Sequence, residues 1–239
     1  MYCFMAVTKY FEVRNDRSTT VIDDSFKNLS VTSVANANFQ KWRNSSTVYY
    51  QQVTVSGNEA LVGIHCTSSE FNFAMERRGN TVFIYANVGS SNLSTLNSAT
   101  KIINYAYDSA DSKSGVGLQA YSADGKLVYD SNKKYLRVID YFNQSVNFGD
   151  TMDEFIKVDN SSFNRTYSHK AIFLGVFTCS ALLTQGTVRS YPVYAGINFI
   201  TAKSITFGGV IFPSIQMNSK SVTFGKYMSA LIANGDNIV

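Results

Sequence analysis

His65 stands beside Cys66, an imidazole next to a thiol, the pairing that cysteine nucleophiles and metal sites share. The other residues of these types are scattered: His169, Cys3 and Cys179. EALVGIHC (59–66) reads as a strand, and adjacent strand residues point to opposite faces. His65 and Cys66 therefore cannot serve one site without a bulge. No Cys-x-x-Cys, His-x-x-x-His or His-Glu-x-x-His spacing occurs, so no metal ligand set is expected. Nor is there a Gly-x-Ser-x-Gly elbow to carry a serine nucleophile. Carboxylates pair at Asp23–Asp24 and Asp153–Glu154, near turns or strand ends, whereas glycoside cleavage needs two carboxyls facing one sugar cleft. GVGLQA (115–120) has no long helix behind it and is no dinucleotide fingerprint. The expectation is a protein that is not an enzyme, with no catalytic residue, metal or cofactor.

The elements that carry these residues read as strands. Of 239 residues, 45% are hydrophobic, enough for one large core or two modest ones, and only 16% are charged. Ser, Thr, Asn, Tyr and Phe make up much of the remainder, a composition that suits pleated surfaces. TVYYQQVTV (47–55), EALVGIHC, EFNFAME (70–76) and NTVFIYANV (80–88) succeed one another with Gly, Asn and Ser in the joints. A second series is KAIFLGVFTCSALL (170–183), TVRSYPVYAGINFI (187–200), KSITFGGVIFPSI (203–215) and SVTFGKYMSALI (221–232). Pro192 and Pro213 should mark an edge, a bend or a strand end, and Gly208-Gly209 a bulge. TMDEFIKV (151–158) reads as a helical turn or a strand and MSALIAN (228–234) as a short helix; no long helix is expected.

Charge and cysteine usage narrow the function classes. The net charge is +4, and its longest basic clusters, Arg77-Arg78 and Lys133-Lys134, read as solvated loop charges, not as a nucleic-acid stripe. Three cysteines far apart do not make a disulfide framework and fit folding in a reducing cytosol. MYCFMAV lacks a basic leader and a cleavage site, and the apolar run 171–183 is too short to span a bilayer as a helix.

A repeat organises the chain. Set GLQAYSADGKLVYDS (117–131) against the chain 107 positions earlier and the two align without a gap. Phe11 falls on Leu118 and Val13 on Ala120. Val21, Asp23, Lys27, Leu29 and Val31 are identical to Val128, Asp130, Lys134, Leu136 and Val138. Each copy reads as strand, turn, strand, turn, strand. Asp124-Gly125 supplies the turn in the second copy, with Ser18 where Gly125 stands. Asp23 and Asp130 end the second strand, where a carboxylate accepts from following backbone N–H groups in an Asx-turn. DSADSKSGV (108–116) is the best linker. The expected fold is all-β with little helix: two tandem β-sandwich-like domains, 1–108 and 117–239, joined by 109–116. Beyond the repeated phrase, EALVGIHC and KAIFLGVFTC align only with a small insertion.

The stretch 102–138, IINYAYDSADSKSGVGLQAYSADGKLVYDSNKKYLRV, resembles a segment of the minor tail proteins of long-tailed, siphophage-type bacteriophages. Their phrase runs roughly G-L-x-V-[YF]-[ND]-x-x-G-x-L-V-[FY]-D-S after a Tyr- or Phe-rich strand ending in Asp. Gly117, Leu118, Tyr121, Gly125, Leu127, Val128, Tyr129, Asp130 and Ser131 fit it, as do Tyr105, Tyr107 and Asp108 before it. Ala120 departs from the usual Val, and the first copy lacks both glycines. The resemblance implies a structural subunit of a tail tip or tail-fibre attachment, located in the virion tail after folding and assembly in the host cytoplasm. It implies other tail proteins as partners and further copies of the chain in a symmetric assembly, without nucleic acid or membrane insertion. Interface candidates are Trp42 and whichever of Tyr49 and Tyr50 faces outward; the alternative for Trp42 is a plug at a domain's end. A second reading is a receptor- or carbohydrate-binding module at the distal tail, touching a host surface receptor; a third is a tail-tube or capsid decoration protein. Tail depolymerases commonly sit on long β-helices, and no short solenoid period is present.

Overall fold

The computed structural model describes residues 12–14, 20–23, 28–43, 45–57, 59–88, 92–107, 117–121, 127–147, 157–158, 163–177, 180–185, 189–211, 215–216, 222–223 and 227–239. The first half comprises β1 (Glu12–Arg14), β2 (Thr20–Asp23), β3 (Leu29–Asn36), β4 (Gln40–Lys41), β5 (Val48–Thr54), β6 (Leu61–Cys66), β7 (Phe71–Arg78), β8 (Thr81–Val88), α1 (Leu93–Ala99) and β9 (Thr100–Tyr107). The second comprises β10 (Gln119–Tyr121), β11 (Leu127–Asp130), β12 (Val138–Asn147), β13 (Lys157–Val158), β14 (Asn164–Thr166) and β15 (Ala171–Phe177). It continues with β16 (Ser180–Gln185), β17 (Arg189–Thr201), β18 (Ser204–Ile211), β19 (Ile215–Gln216), β20 (Val222–Thr223) and β21 (Tyr227–Asn234). The fold is all-β and sandwich-like, with one short helix among the described residues.

Two large antiparallel sheets carry the repeat. One has the order β13-β12-β21-β15-β6-β9-β3, the other β14-β18-β17-β7-β8-β5-β4 with β16, β19 and β20 attached. The orders are palindromic. β12-β21-β15 answers β3-β9-β6, and β14-β18-β17 answers β5-β8-β7. The halves meet where equivalent strands pair antiparallel: β6 with β15 through Ile64 and Phe173, and β7 with β17 through Phe73 and Ile197. Antiparallel pairing of equivalents is what a two-fold rotation produces. The two expected domains are therefore fused edge to edge, sharing both sheets, and the linker 109–116 lies outside the described residues.

One core fills the space between the sheets. Ile64, Ile102, Phe173 and Ile232 face Phe73, Ile84, Ile197 and Phe199 across it, drawing on both halves. Burial is worth about 1.5–3 kcal/mol for each such side chain, so this shared core is a strong bond between the halves. The first sheet is also buried on its other face. Ile103, Tyr105, Ile172, Leu174 and Ala233 pack there with Leu29, Leu61, Leu136 and Leu231. Burial on both faces explains why EALVGIHC and KAIFLGVF are near-continuous apolar runs without clean alternation. That sheet curls round this second cluster until its edges meet. Residues 134–136, leading into β12, bond across to β3: Val31 N–H donates to the Lys134 carbonyl (2.7 Å) and Leu136 N–H to the Leu29 carbonyl (2.8 Å).

Several local expectations are corrected. MSALIAN is part of strand β21, because its residues alternate between the two buried faces of the sheet. Gly208-Gly209 forms no bulge; both residues keep register with Gly196 and Ala195. Gly208 and its partner Gly196 permit close approach instead. A Cβ on Gly208 would lie 2.6 Å from Asn72 Oδ1, and one on Gly196 only 1.8 Å from the Phe73 carbonyl oxygen. Pro192 lies inside β17, opposite Leu182 of β16, one residue before the β18 ladder begins at Val193. The short helix α1 was not expected. Its signal is Asn92, whose Oδ1 accepts from Thr95 N–H (2.9 Å), followed by Leu93 and buried Leu96. Cys3, Asp24, Asp153-Glu154, Cys179 and Pro213 lie outside the described residues, as does 151–156 of TMDEFIKV, whose last two residues form β13.

Candidate functional site

The repeated phrase folds as a hairpin outside both large sheets, once in each half. In the first copy Glu12 pairs with Asp23 and Val13 with Ile22, and the register slips before Arg14 pairs with Thr20. In the second, Gln119 pairs with Asp130 and Ala120 with Tyr129, and the same slip precedes Tyr121 with Leu127. Each partner in the second copy is the 107-residue equivalent of one in the first. The match extends into the sheet, where β3 bulges at Val31/Ser33 and β12 at Val138/Asp140.

The second hairpin is closed by a polar clasp. Asp130 is fully buried, and its Oδ1 accepts from the backbone N–H (2.8 Å) and side-chain amide (3.1 Å) of Asn132. Its Oδ2 accepts from Gln119 Nε2 (3.0 Å). Leu118 N–H donates to Ser131 Oγ, and Ser131 N–H to the Leu118 carbonyl, both at 2.9 Å. Gly117 has φ +123°, and a Cβ there would lie 2.6 Å from both Ser131 Oγ and Asn132 Nδ2. The opening Gly and closing Asp-Ser of the phrase are thus one structural unit. Leu118 (57% exposed) and Tyr121 (46%) project from it. Gly125 lies outside the described residues; Asp23 occupies the position equivalent to Asp130.

The outer face of the second sheet carries an aromatic field. Trp42 meets Tyr50 edge-on at 5.2 Å and Tyr85 at 5.6 Å, with the Arg43 guanidinium 5.4 Å from its ring. Tyr85 continues to Tyr194 at 5.4 Å and stacks on Phe83 at 6.3 Å. Arg78 covers Phe83 at 5.0 Å and forms a two-pronged pair with Glu76, at 2.9 and 2.7 Å. Burial, and then the Glu76 charge, push the Tyr85 and Tyr194 phenols above their ordinary range. Tyr50 faces this field while Tyr49 packs against the central core, so Tyr50 is the outward member of the pair. Trp42 is half-buried on the sheet's outer surface. Tyr85 and Tyr194 were not singled out in the sequence, because strands far apart in the chain bring them together.

The candidate chemical groups are dispersed. Cys66 lies in the central core, its thiol held up by burial. His65 is buried with Nδ1 2.8 Å from the Ala171 carbonyl oxygen, and burial lowers its pKa. His169 is elsewhere, bonded to Asp236. Among the described residues no three His, Cys, Asp or Glu side chains gather as a metal site, and no helix is long and apolar enough to cross a membrane. Arg77 is a structural clamp: its guanidinium donates to the carbonyls of Ala60, Gly57 and Gly79. No protein-family model matches this sequence, no curated protein matches it, and no solved structure matches its fold.

Proposed function

We infer that this chain is a structural subunit of a bacteriophage tail, a minor tail protein of the tail tip or fibre attachment that works through protein–protein contacts. The observation that carries the reading is the clasped hairpin. The residues that resemble the tail-protein phrase, Gly117, Leu118, Asp130 and Ser131, close a hairpin that forms its own two-stranded sheet, and that hairpin displays Leu118 and Tyr121. A second hairpin with the same register stands in the other half, so the chain offers paired docking elements related by its internal two-fold. The aromatic field around Trp42 and Tyr50 is a further contact surface of the composition that interfaces favour.

The test is to purify mature particles and probe their tails with an antibody to this chain. Labelling at the tail tip is the expected result. Absence from mature virions overturns the reading. Saturable binding of the isolated protein to host cells, with tails assembling normally without it, would favour a receptor-binding module.

A further inference from the structure

The geometry points to an oxyanion-binding site in a cleft of about 400 Å³ beside the seam where the first sheet closes, taking a small ligand that carries a carboxylate or phosphate. Lys134, Tyr135, Arg137, His169, Asn234 and Asp236 line it. Its cations spring from fixed points of the backbone. The Lys134 carbonyl accepts from Val31 N–H (2.7 Å) and the Arg137 carbonyl from Asn234 N–H (2.8 Å), so both side chains leave pinned backbone. Neither the Lys134 ammonium nor the Arg137 guanidinium has a hydrogen-bond or ion-pair partner among the described residues.

Among the described residues the carboxylate in the cleft is paired with His169 and with neither cation. Asp236 Oδ2 is bonded to His169 Nδ1 (2.6 Å), and its Oδ1 accepts from Lys170 N–H (3.0 Å). Both oxygens are thus engaged by the wall. The same bond fixes the His169 ring and leaves Nε2 as its remaining polar atom. Asn234 Oδ1 accepts from Asp236 N–H (2.8 Å), which keeps the turn in shape. At the rim, Asn237 holds a left-handed backbone with φ +62°. Two cations against one carboxylate leave the concave cleft with an excess of positive charge, and the guanidinium fork matches two oxygens of a carboxylate or phosphate. The volume lies within the usual range for small-molecule sites.

Calorimetric titration of the full chain with glucuronate, glucose 6-phosphate and neutral glucose at low salt tests the site and separates carboxylate from phosphate. Saturable binding of at least one anion, with Kd of about 1 mM or tighter, is expected, and glucose should give none. In the Lys134→Ala/Arg137→Ala double variant binding should weaken at least about tenfold with the thermal midpoint unchanged. Arg43→Ala, on the other sheet, should bind as the parent does. The proposal is overturned if neither anion binds up to about 20 mM, if glucose binds equally, or if the double variant keeps the parent affinity.

Discussion

Leu136 donates its backbone N–H to the carbonyl of Leu29 at 2.8 Å, and the two leucines occupy the same position in the two copies of the repeat. Such a bond between equivalents lies at the internal two-fold, on the far side of the curled sheet from the β6–β15 junction. Leu136→Pro removes the donor at that point. Loss of one hydrogen bond costs about 1 kcal/mol, so urea unfolding should shift by at least that much. An unchanged midpoint would mean that the seam contributes nothing to closure.

Gly196 leaves no room for a side chain. Its Cβ would lie 1.8 Å from the Phe73 carbonyl oxygen, where β7 and β17 join the halves. Gly196→Ala must push backbone apart and should destabilise by about 1–3 kcal/mol. Gly57→Ala is a poor control, because Gly57 has positive φ. A Gly196→Ala variant as stable as the parent would refute the close approach.

Tyr105 is fully buried inside the curled sheet, and its hydroxyl has no hydrogen-bond partner among the described residues. Burial also raises its pKa, since a phenolate there would be unsolvated. Removing an unsatisfied buried hydroxyl while keeping the ring relieves a desolvation cost of about 1–3 kcal/mol. Tyr105→Phe should therefore be as stable as the parent or more so in chemical denaturation. A clear loss of stability would show that the hydroxyl has a partner.

His65 supplies a pH-dependent term. Burial lowers its folded pKa below 6.5, and Nδ1–H donation to the Ala171 carbonyl suits a neutral ring. The unfolded chain then binds this proton at higher pH than the folded one. The stabilisation is complete above the unfolded pKa and is lost as pH falls through it toward the folded value. Urea midpoints should drop between about pH 7.5 and 5.5, and His65→Gln should flatten that slope. Parallel slopes in parent and variant would contradict the assignment.

Leu118 and Tyr121 are exposed on the clasped hairpin. Leu118→Asp with Tyr121→Asp should leave stability within about 0.5 kcal/mol per site. Under the tail-subunit proposal, complementation with this variant should yield far fewer particles carrying the chain. Normal incorporation would remove the hairpin from the docking role.

The repeated phrase was legible because local rules write it directly. An alternating strand, a turn and a capping Asp each depend on neighbours a few residues away, and the gap-free offset keeps that register in both copies. The all-β class followed from the same local signals. The small insertion needed to align EALVGIHC with KAIFLGVFTC is echoed by a register slip in β15 between Gly175 and Phe177. What the sequence could not decide was how the copies meet. Edge-to-edge fusion depends on backbone groups of β6, β7, β15 and β17, and backbone pairing carries no residue code. The aromatic field and the Lys134–Arg137–His169 cleft are likewise products of strand pairing. They gather side chains from strands and turns far apart in the chain, and only the closed tertiary sheet sets their distances.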